Sequence, residues 1–487
     1  MNRVLPLGLA AALALAACND QEPTGTSAPE PELAAAQAAG YVVSFDPSAA
    51  RDVATAIGRA GGKVKHLSAR AGLATVTASA ADFATRVRGT KGVKSVAQDM
   101  VVQWVPRQQF RIGTDAGSAG TPTGATERWF PTQWNLQAIH APEAWAAGQQ
   151  GKGARVAILD GGIWDQHVDI APNIDVRRST SFVPGVPFNF DNDASLFWHA
   201  THVAGIVAAA DNSDNLGTIG VAPKATIIGV KVLDNGSGTF GQIIDGIVYA
   251  ADRINEGGAG ADIINMSLGA TFSENQNANT QALIDAVGQA TTYAWSRGVL
   301  VISSAGNGDN QGHGINFDGG NQIDIPAQSP HVFAVSALAP KGFALGSTNY
   351  DLLASYSNYG LSIVDFSGPG GDTWLASANG NDALCTMAIN PAPPLSPSTS
   401  VTQECFWFDA VVSSCRGTTT RNVCWASGTS MAAPAVSGVA ALIVGRFGSM
   451  NSDALANRLA SSADDLGAAG TDPIYGRGRV NALRAVQ

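Results

Sequence analysis

Residues 426–442 read ASGTSMAAPAVSGVAAL, and they place Ser430 directly ahead of a run of Ala, Gly, Val and Leu with the small side chains of a closely packed helix. Two other stretches share this character. Residues 198–210, WHATHVAGIVAAA, set His199 before a second small-residue helical run, and residues 154–163, ARVAILDGGI, end an apolar strand on Asp160. In an open parallel sheet the crevice forms at the carboxyl ends of strands, where helices begin. The three segments therefore predict an Asp, a His and a Ser facing one crevice. Each alone has a plainer explanation, because an Asp can cap a turn, a His can be a hydrogen-bonded structural residue, and a Ser before a helix is often an N-cap.

The combination has a chemical logic. A serine hydroxyl is a weak nucleophile until an imidazole accepts its proton, and the imidazole needs a carboxylate to fix its tautomer and stabilise its charged form. The chain order Asp–His–Ser matches subtilisin and differs from the chymotrypsin and α/β-hydrolase orders. From about residue 133 to 486 the sequence resembles the subtilase family of serine peptidases, with GTSMAAP (428–434) as the most specific element. The resemblance implies a triad of Asp160, His199 and Ser430. It also implies an oxyanion-hole amide at Asn307, within VISSAGNGD (301–309), although Asn-Gly is also a common turn. By the same resemblance the strand INMSLG (264–269) offers Ser267, Leu268 and Gly269 to an extended peptide. With Ser304, Ala305 and Gly306 they frame the pocket for the residue before the scissile bond, and the small walls suggest a roomy pocket tolerant of apolar groups. Structural calcium is implied at Gln133, Asp169 and the Asp211-Asn212-Ser213 loop, since hard oxygen donors suit that ion; catalysis itself needs no cofactor. His202 lies three residues past His199, but no His-Glu-x-x-His pattern accompanies it, so zinc is not expected. The sequence departs from the family at Gly161, where Ser or Thr is common, and at Ala200, where Gly is usual.

Outward from these motifs, strands RVAIL, TIIGVKVL, ADIINMSL, VLVISSA and VFAVSAL alternate with helical stretches after His199, near 243–254 and around 282–296. That alternation predicts an α/β domain over 133–487, a parallel sheet between two helical layers. Residues 41–104 follow a different order, β-α-β-β-α-β, a ferredoxin-like α+β pattern. Standing ahead of a hydrolase, it resembles the inhibitor-type propeptide of subtilases, which implies that the chain's own pro-domain is a partner and inhibitor of the cleft. Residues 105–132 lack periodicity and read as a linker with the processing site.

At the start, Arg3 and the apolar run 4–17 have the layout of an export signal. The run ends in Leu-Ala-Ala-Cys18, which resembles a lipobox. Residues 1–18 are thus expected to be a lipoprotein signal, Cys18 a lipid anchor to the membrane, and 19–40 a flexible tether. Export also makes disulfides plausible among Cys385, Cys405, Cys415 and Cys424. Three connectivities are open, neighbour pairing among them. The 487 residues carry 39 acidic against 29 basic side chains, a net charge of −10, with no basic cluster for nucleic acid. The expectation is an exported, monomeric, self-processed serine endopeptidase of the cell envelope or its surroundings acting on proteins or peptides. Hydrolysis and acyl transfer to an amine are not separated by sequence, and a peptide-binding protein that keeps this scaffold is the competing class.

Overall fold

A computed structural model describes residues 34–35, 40–106, 110–114, 127–212, 216–309, 311–373, 383–390 and 399–487. Cys18, most of the expected tether and much of the linker lie outside the described residues.

The N-terminal unit runs β1 (Gly40–Phe45), α1 (Ala50–Arg59), β2 (Lys63–Ser68), β3 (Leu73–Thr77), α2 (Phe83–Arg88), β4 (Val93–Gln98). Its antiparallel sheet has the order β2-β3-β1-β4. Val43, Phe45, Val53, Ile57, Phe83 and Val87 form a core between that sheet and its two helices. Strand β5 (Met100–Gln103) follows, and then β6 (Phe110–Thr114).

The larger domain is built on β7 (Arg155–Asp160), α3 (His199–Ala208), β8 (Thr226–Lys231), β9 (Ser237–Thr239), α4 (Phe240–Ala251), β10 (Ile263–Met266), α5 (Ala278–Ser296), β11 (Leu300–Ser304), β12 (Val332–Ala339) and β13 (Phe366–Pro369). Strands β8-β7-β10-β11-β12-β13 pair in parallel in that order. The strands are apolar on both faces because both are covered, as a largely parallel sheet requires; the expected parallel sheet is in fact mixed, since the short strand Leu352–Leu353 pairs antiparallel with β12. One face packs with α3 and with α6 (Thr429–Phe447), the other with α4 and α5. Helix α6 is long and apolar enough to cross a membrane, but 83% of its most apolar window is buried in this core. The chain goes from β7 to β8 on one side and later to β10 on the other. Asp160 therefore ends the strand at which the order reverses, where a crevice is expected.

Helix α4 spans Phe240–Ala251, shifted from the 243–254 expected, because a capping box fixes its start: Gln242 N–H donates to Thr239 Oγ1 at 3.2 Å and Thr239 N–H to Gln242 Oε1 at 2.6 Å. Helix α5 begins at Ala278, four residues ahead of expectation, with Asn277 as its cap.

The segment read as an aperiodic linker holds a strand. Residues 110–114 pair antiparallel with β15 (Asn422–Ala426), whose other neighbour is β14 (Val411–Ser414). The pairing comes from an edge some 300 residues away, so five residues of mixed polarity gave no local sign of it. The cysteines are joined Cys385–Cys405 and Cys415–Cys424, the neighbour pairing. The second bridge ties β15 to the residue after β14.

Candidate active site

Asp160 is the last residue of β7, His199 the first of α3 and Ser430 the second of α6. His199 Nδ1 lies 2.8 Å from Asp160 Oδ2 and 3.1 Å from Oδ1. Asp160 is 1% exposed, and its Oδ1 also accepts the Gly161 N–H at 2.6 Å. With Nδ1–H committed to the carboxylate, Nε2 is the ring's acceptor; it is buried and has no hydrogen-bond partner among the described residues. The Ser430 hydroxyl donates to the Ser267 carbonyl at 3.3 Å, so the nucleophile–base bond is not made in this state. Such bonds often tighten only with substrate present.

Asn307 is held through its oxygen. Oδ1 accepts from Thr429 N–H at 2.9 Å and from Thr429 Oγ1 at 2.8 Å, leaving the two Nδ2 protons as the donor end beside the residue that precedes Ser430. Ser267 is fixed by Asn265 Nδ2 at 2.9 Å and donates its own hydroxyl to the Ser430 carbonyl at 2.8 Å. The Gly306 N–H donates to Thr429 Oγ1 at 3.1 Å, so both sides of the predicted pocket connect to the start of α6.

The sequence reading missed a second edge at the cleft. Strand β9 pairs antiparallel with β5, with Gln103 opposite Ser237 and Val102 opposite Gly238. On the other side the Gly269 N–H donates to the Trp104 carbonyl at 3.0 Å. Trp104 is therefore held from both sides, its N–H donating to the Gly236 carbonyl, and residues 101–103 pair with β9 as an extended peptide would, while Met100 and Val101 pair on their other side with Ala35 and Ala34, the end of the stretch expected to be a free tether. Trp104 is 1% exposed, edge-on to Phe240 at 5.0 Å, and its indole N–H donates to Gly238 O at 3.0 Å. The Gly-Ser-Gly run at 236–238 was the one signal in the sequence, since glycine lets another backbone approach closely. Val105 and Pro106 line a cavity of about 260 Å³ together with Asp160, Gly161, Asp191 and His199. Beyond it Phe110 stacks on Phe197 at 5.0 Å, and β6 takes up the edge of β15. Gly113 fits there because a Cβ would come within 2.7 Å of the Trp425 ring.

Of the two departures from the family pattern, the one at Gly161 has a local cause. A Cβ on Gly161 would sit 2.2 Å from Asp191 Oδ2, so that carboxylate occupies the space. It accepts Gly162 N–H at 2.9 Å and lies 3.8 Å from the buried Lys231 ammonium. Ala200 is wholly buried in the helical layer. His202 is structural: Nε2 bonds the Cys424 carbonyl at 2.9 Å, and burial lowers its pKa to about 3. Around the expected calcium site, Gln133 pairs both amide ends with the Ile219 backbone, at 2.7 and 3.0 Å. Asp169, wholly buried, accepts Thr218 N–H, and Asn212 donates to Val168 O. The three surround one loop, but Gln133 Oε1 is already engaged.

Residues 151–478 match the model of the subtilase family, Peptidase_S8. Thermitase of Thermoactinomyces vulgaris is 33% identical over 361 residues, covering 73% of this chain and 96% of its own. Subtilisin DY of Bacillus licheniformis is 30% identical over 355 residues, with 73% and 98% covered. Among solved structures, the epidermin leader peptide processing serine protease of Staphylococcus aureus superposes with a TM-score of 0.67 at 19% identity, covering 94% of this chain and 98% of that one. That is a likeness of fold.

Proposed function

The chain belongs to the subtilase family and is a serine-type endopeptidase acting on protein or peptide substrates, and we propose that Asp160, His199 and Ser430 are its catalytic residues. The observation that carries the assignment is the Asp160–His199 contact of 2.8 Å with Nε2 left unpartnered next to the helix that bears Ser430. In the reaction, Ser430 Oγ attacks the scissile carbonyl as His199 Nε2 takes its proton. Asp160 holds the tautomer and stabilises the imidazolium. Asn307 Nδ2 and the Ser430 backbone N–H donate to the oxyanion. The imidazolium then protonates the leaving amine, and water, activated by the same base, hydrolyses the acyl-enzyme.

The N-terminal unit is the pro-domain in this reading, with residues 100–106 filling the cleft until the 105–132 linker is cut. Export on the 1–18 signal and anchoring through Cys18 complete the proposal. If the linker is cut, the lipid stays with the pro-domain and the peptidase is freed. Calcium at Asp169, Asn212 and Gln133 would be structural, and Gln133 Oε1 would have to share itself with the Ile219 N–H. A thermal midpoint that does not move between calcium and chelator removes that site.

The test is intact-mass spectrometry over time on the chain beginning after Cys18. Wild type should lose its N-terminal unit and Ser430→Ala should not, because losing the nucleophile of such a triad costs about 10⁶ in turnover. Equal processing of both would overturn the assignment.

A further inference from the structure

Asp324 lies where the two walls of the substrate pocket meet. It sits on the strand Gln322–Ile325, paired with Ala270–Ser273 so that Asp324 faces Thr271. It is 2% exposed. A Cβ on Gly269 would fall 2.8 Å from its Oδ1, and one on Gly306 would fall 3.2 Å from its Oδ2. The carboxylate therefore fills the position that side chains of both wall glycines would take, one from each of the two segments that frame the pocket. Its Oδ2 accepts the Thr271 hydroxyl at 3.1 Å, whereas Oδ1 is buried with no partner among the described residues. Burial pushes its pKa up to about 7, and Thr271 is the one group that opposes this. A buried carboxylate with neither counter-charge nor full hydrogen bonding is unfavourable unless a ligand completes it.

We propose that Asp324 makes this enzyme select a basic residue, Arg or Lys, immediately before the scissile bond. The inference rests on the peptidase reading above and names its substrate class. Small walls give the length that a long side chain needs, and the carboxylate at their junction supplies the partner for a guanidinium or ammonium. The pocket is thus not merely roomy and apolar-tolerant, as its walls alone implied. The chain's own sequence is consistent with this. Pro106 lines the cavity beside Asp160 and His199, and the next residue in the sequence, Arg107, which lies outside the described residues, is the one basic residue between Lys94 and Arg111.

The test uses enzyme purified from the full chain and four fluorogenic peptides that differ only at the residue before the reporter: Arg, Lys, Phe and Leu. Wild type should favour Arg and Lys over Phe and Leu in kcat/KM. In Asp324→Asn and Asp324→Ser the Arg-to-Phe ratio should fall on the order of 100-fold, as when one partner of a buried charge pair is removed. A ratio taken within one preparation is independent of how much of the variant has folded. Preference for Phe or Leu in wild type, or an unchanged ratio in both variants, overturns the inference while leaving the peptidase reading intact. No cleavage of any peptide by wild type removes both.

Discussion

Thr75 of the N-terminal unit donates its hydroxyl to the Asp245 carboxylate of α4 at 2.8 Å, a bond between two parts of the chain 170 residues apart. Burial pushes the Asp245 pKa up to about 7 against that bond, with nearby Asp99 adding to the rise and Lys65 opposing it. Asp99 is also raised, chiefly by burial, although it accepts the Gly241 and Met100 N–H groups and Lys65 again opposes. Raised carboxyl pKa values mean that docking takes up protons. Docking should therefore be strongest at low pH and weaken as pH rises from about 4 through 7.

After linker cleavage, the N-terminal unit should consequently leave about tenfold faster or more at pH 8 than at pH 5.5, one pKa unit being a factor of ten. Asp245→Asn should flatten that dependence. Release followed by size exclusion at the two pH values decides it, and equal rates in wild type would exclude this interface as the source of any pH response.

Trp104 should be the main apolar anchor of the segment proposed to fill the cleft. Removing a buried Trp typically costs about 3–5 kcal/mol. Trp104→Ala in the full chain should shorten the lag before peptidase activity appears, measured on a chromogenic peptide from the moment of refolding. An unchanged lag would show that β5 and the N-terminal unit hold the cleft without it.

Asn307→Ala should lower kcat by about 10²–10³ with little change in KM, since its amide is used on the oxyanion and not on the bound ground state. The fold should survive, because Thr429 keeps its place at the start of α6. A rise in KM at unchanged kcat would instead make Asn307 a binding residue.

The selectivity set by Asp324 should itself depend on pH. With the carboxyl near 7, it is largely neutral below that pH and pairs poorly with a cation. The Arg-to-Phe ratio of kcat/KM should climb between pH 6 and pH 8. A pH effect on the chemical step common to both peptides cancels in the ratio. In Asp324→Asn the ratio should be flat across the same range.

What the sequence made legible was what it encodes locally. Asp160, His199 and Ser430 each sit at a junction marked by neighbouring residues, an apolar strand or a small-residue helix, and the structure places them at those junctions. The alternation of strands and helices conveyed the parallel sheet for the same reason. What stayed hidden depends on distant pairing. Asp324 lies 18 residues beyond Gly306 and 55 beyond Gly269, and nothing around it marks a pocket floor. Strand β6 carries an Arg and a Gly in five residues, and it is a strand because β15 has an edge to fill. The starts of α4 and α5 were misjudged where a capping side chain, not apolar periodicity, sets the boundary.

The small sheet beside Ser430 has one further meaning. An unfilled strand edge is a row of donors and acceptors open to any extended backbone, and proteins usually blunt such rows to avoid sticking to their neighbours. Strand β6 blunts the edge of β15 with a piece of the same chain, seated tightly enough that position 113 has no room for a side chain. Vacating that seat and keeping the molecule from clumping are then opposed demands. A form that sheds β6 gains room for a polypeptide to lie along β15, and becomes a surface to which its own copies can adhere.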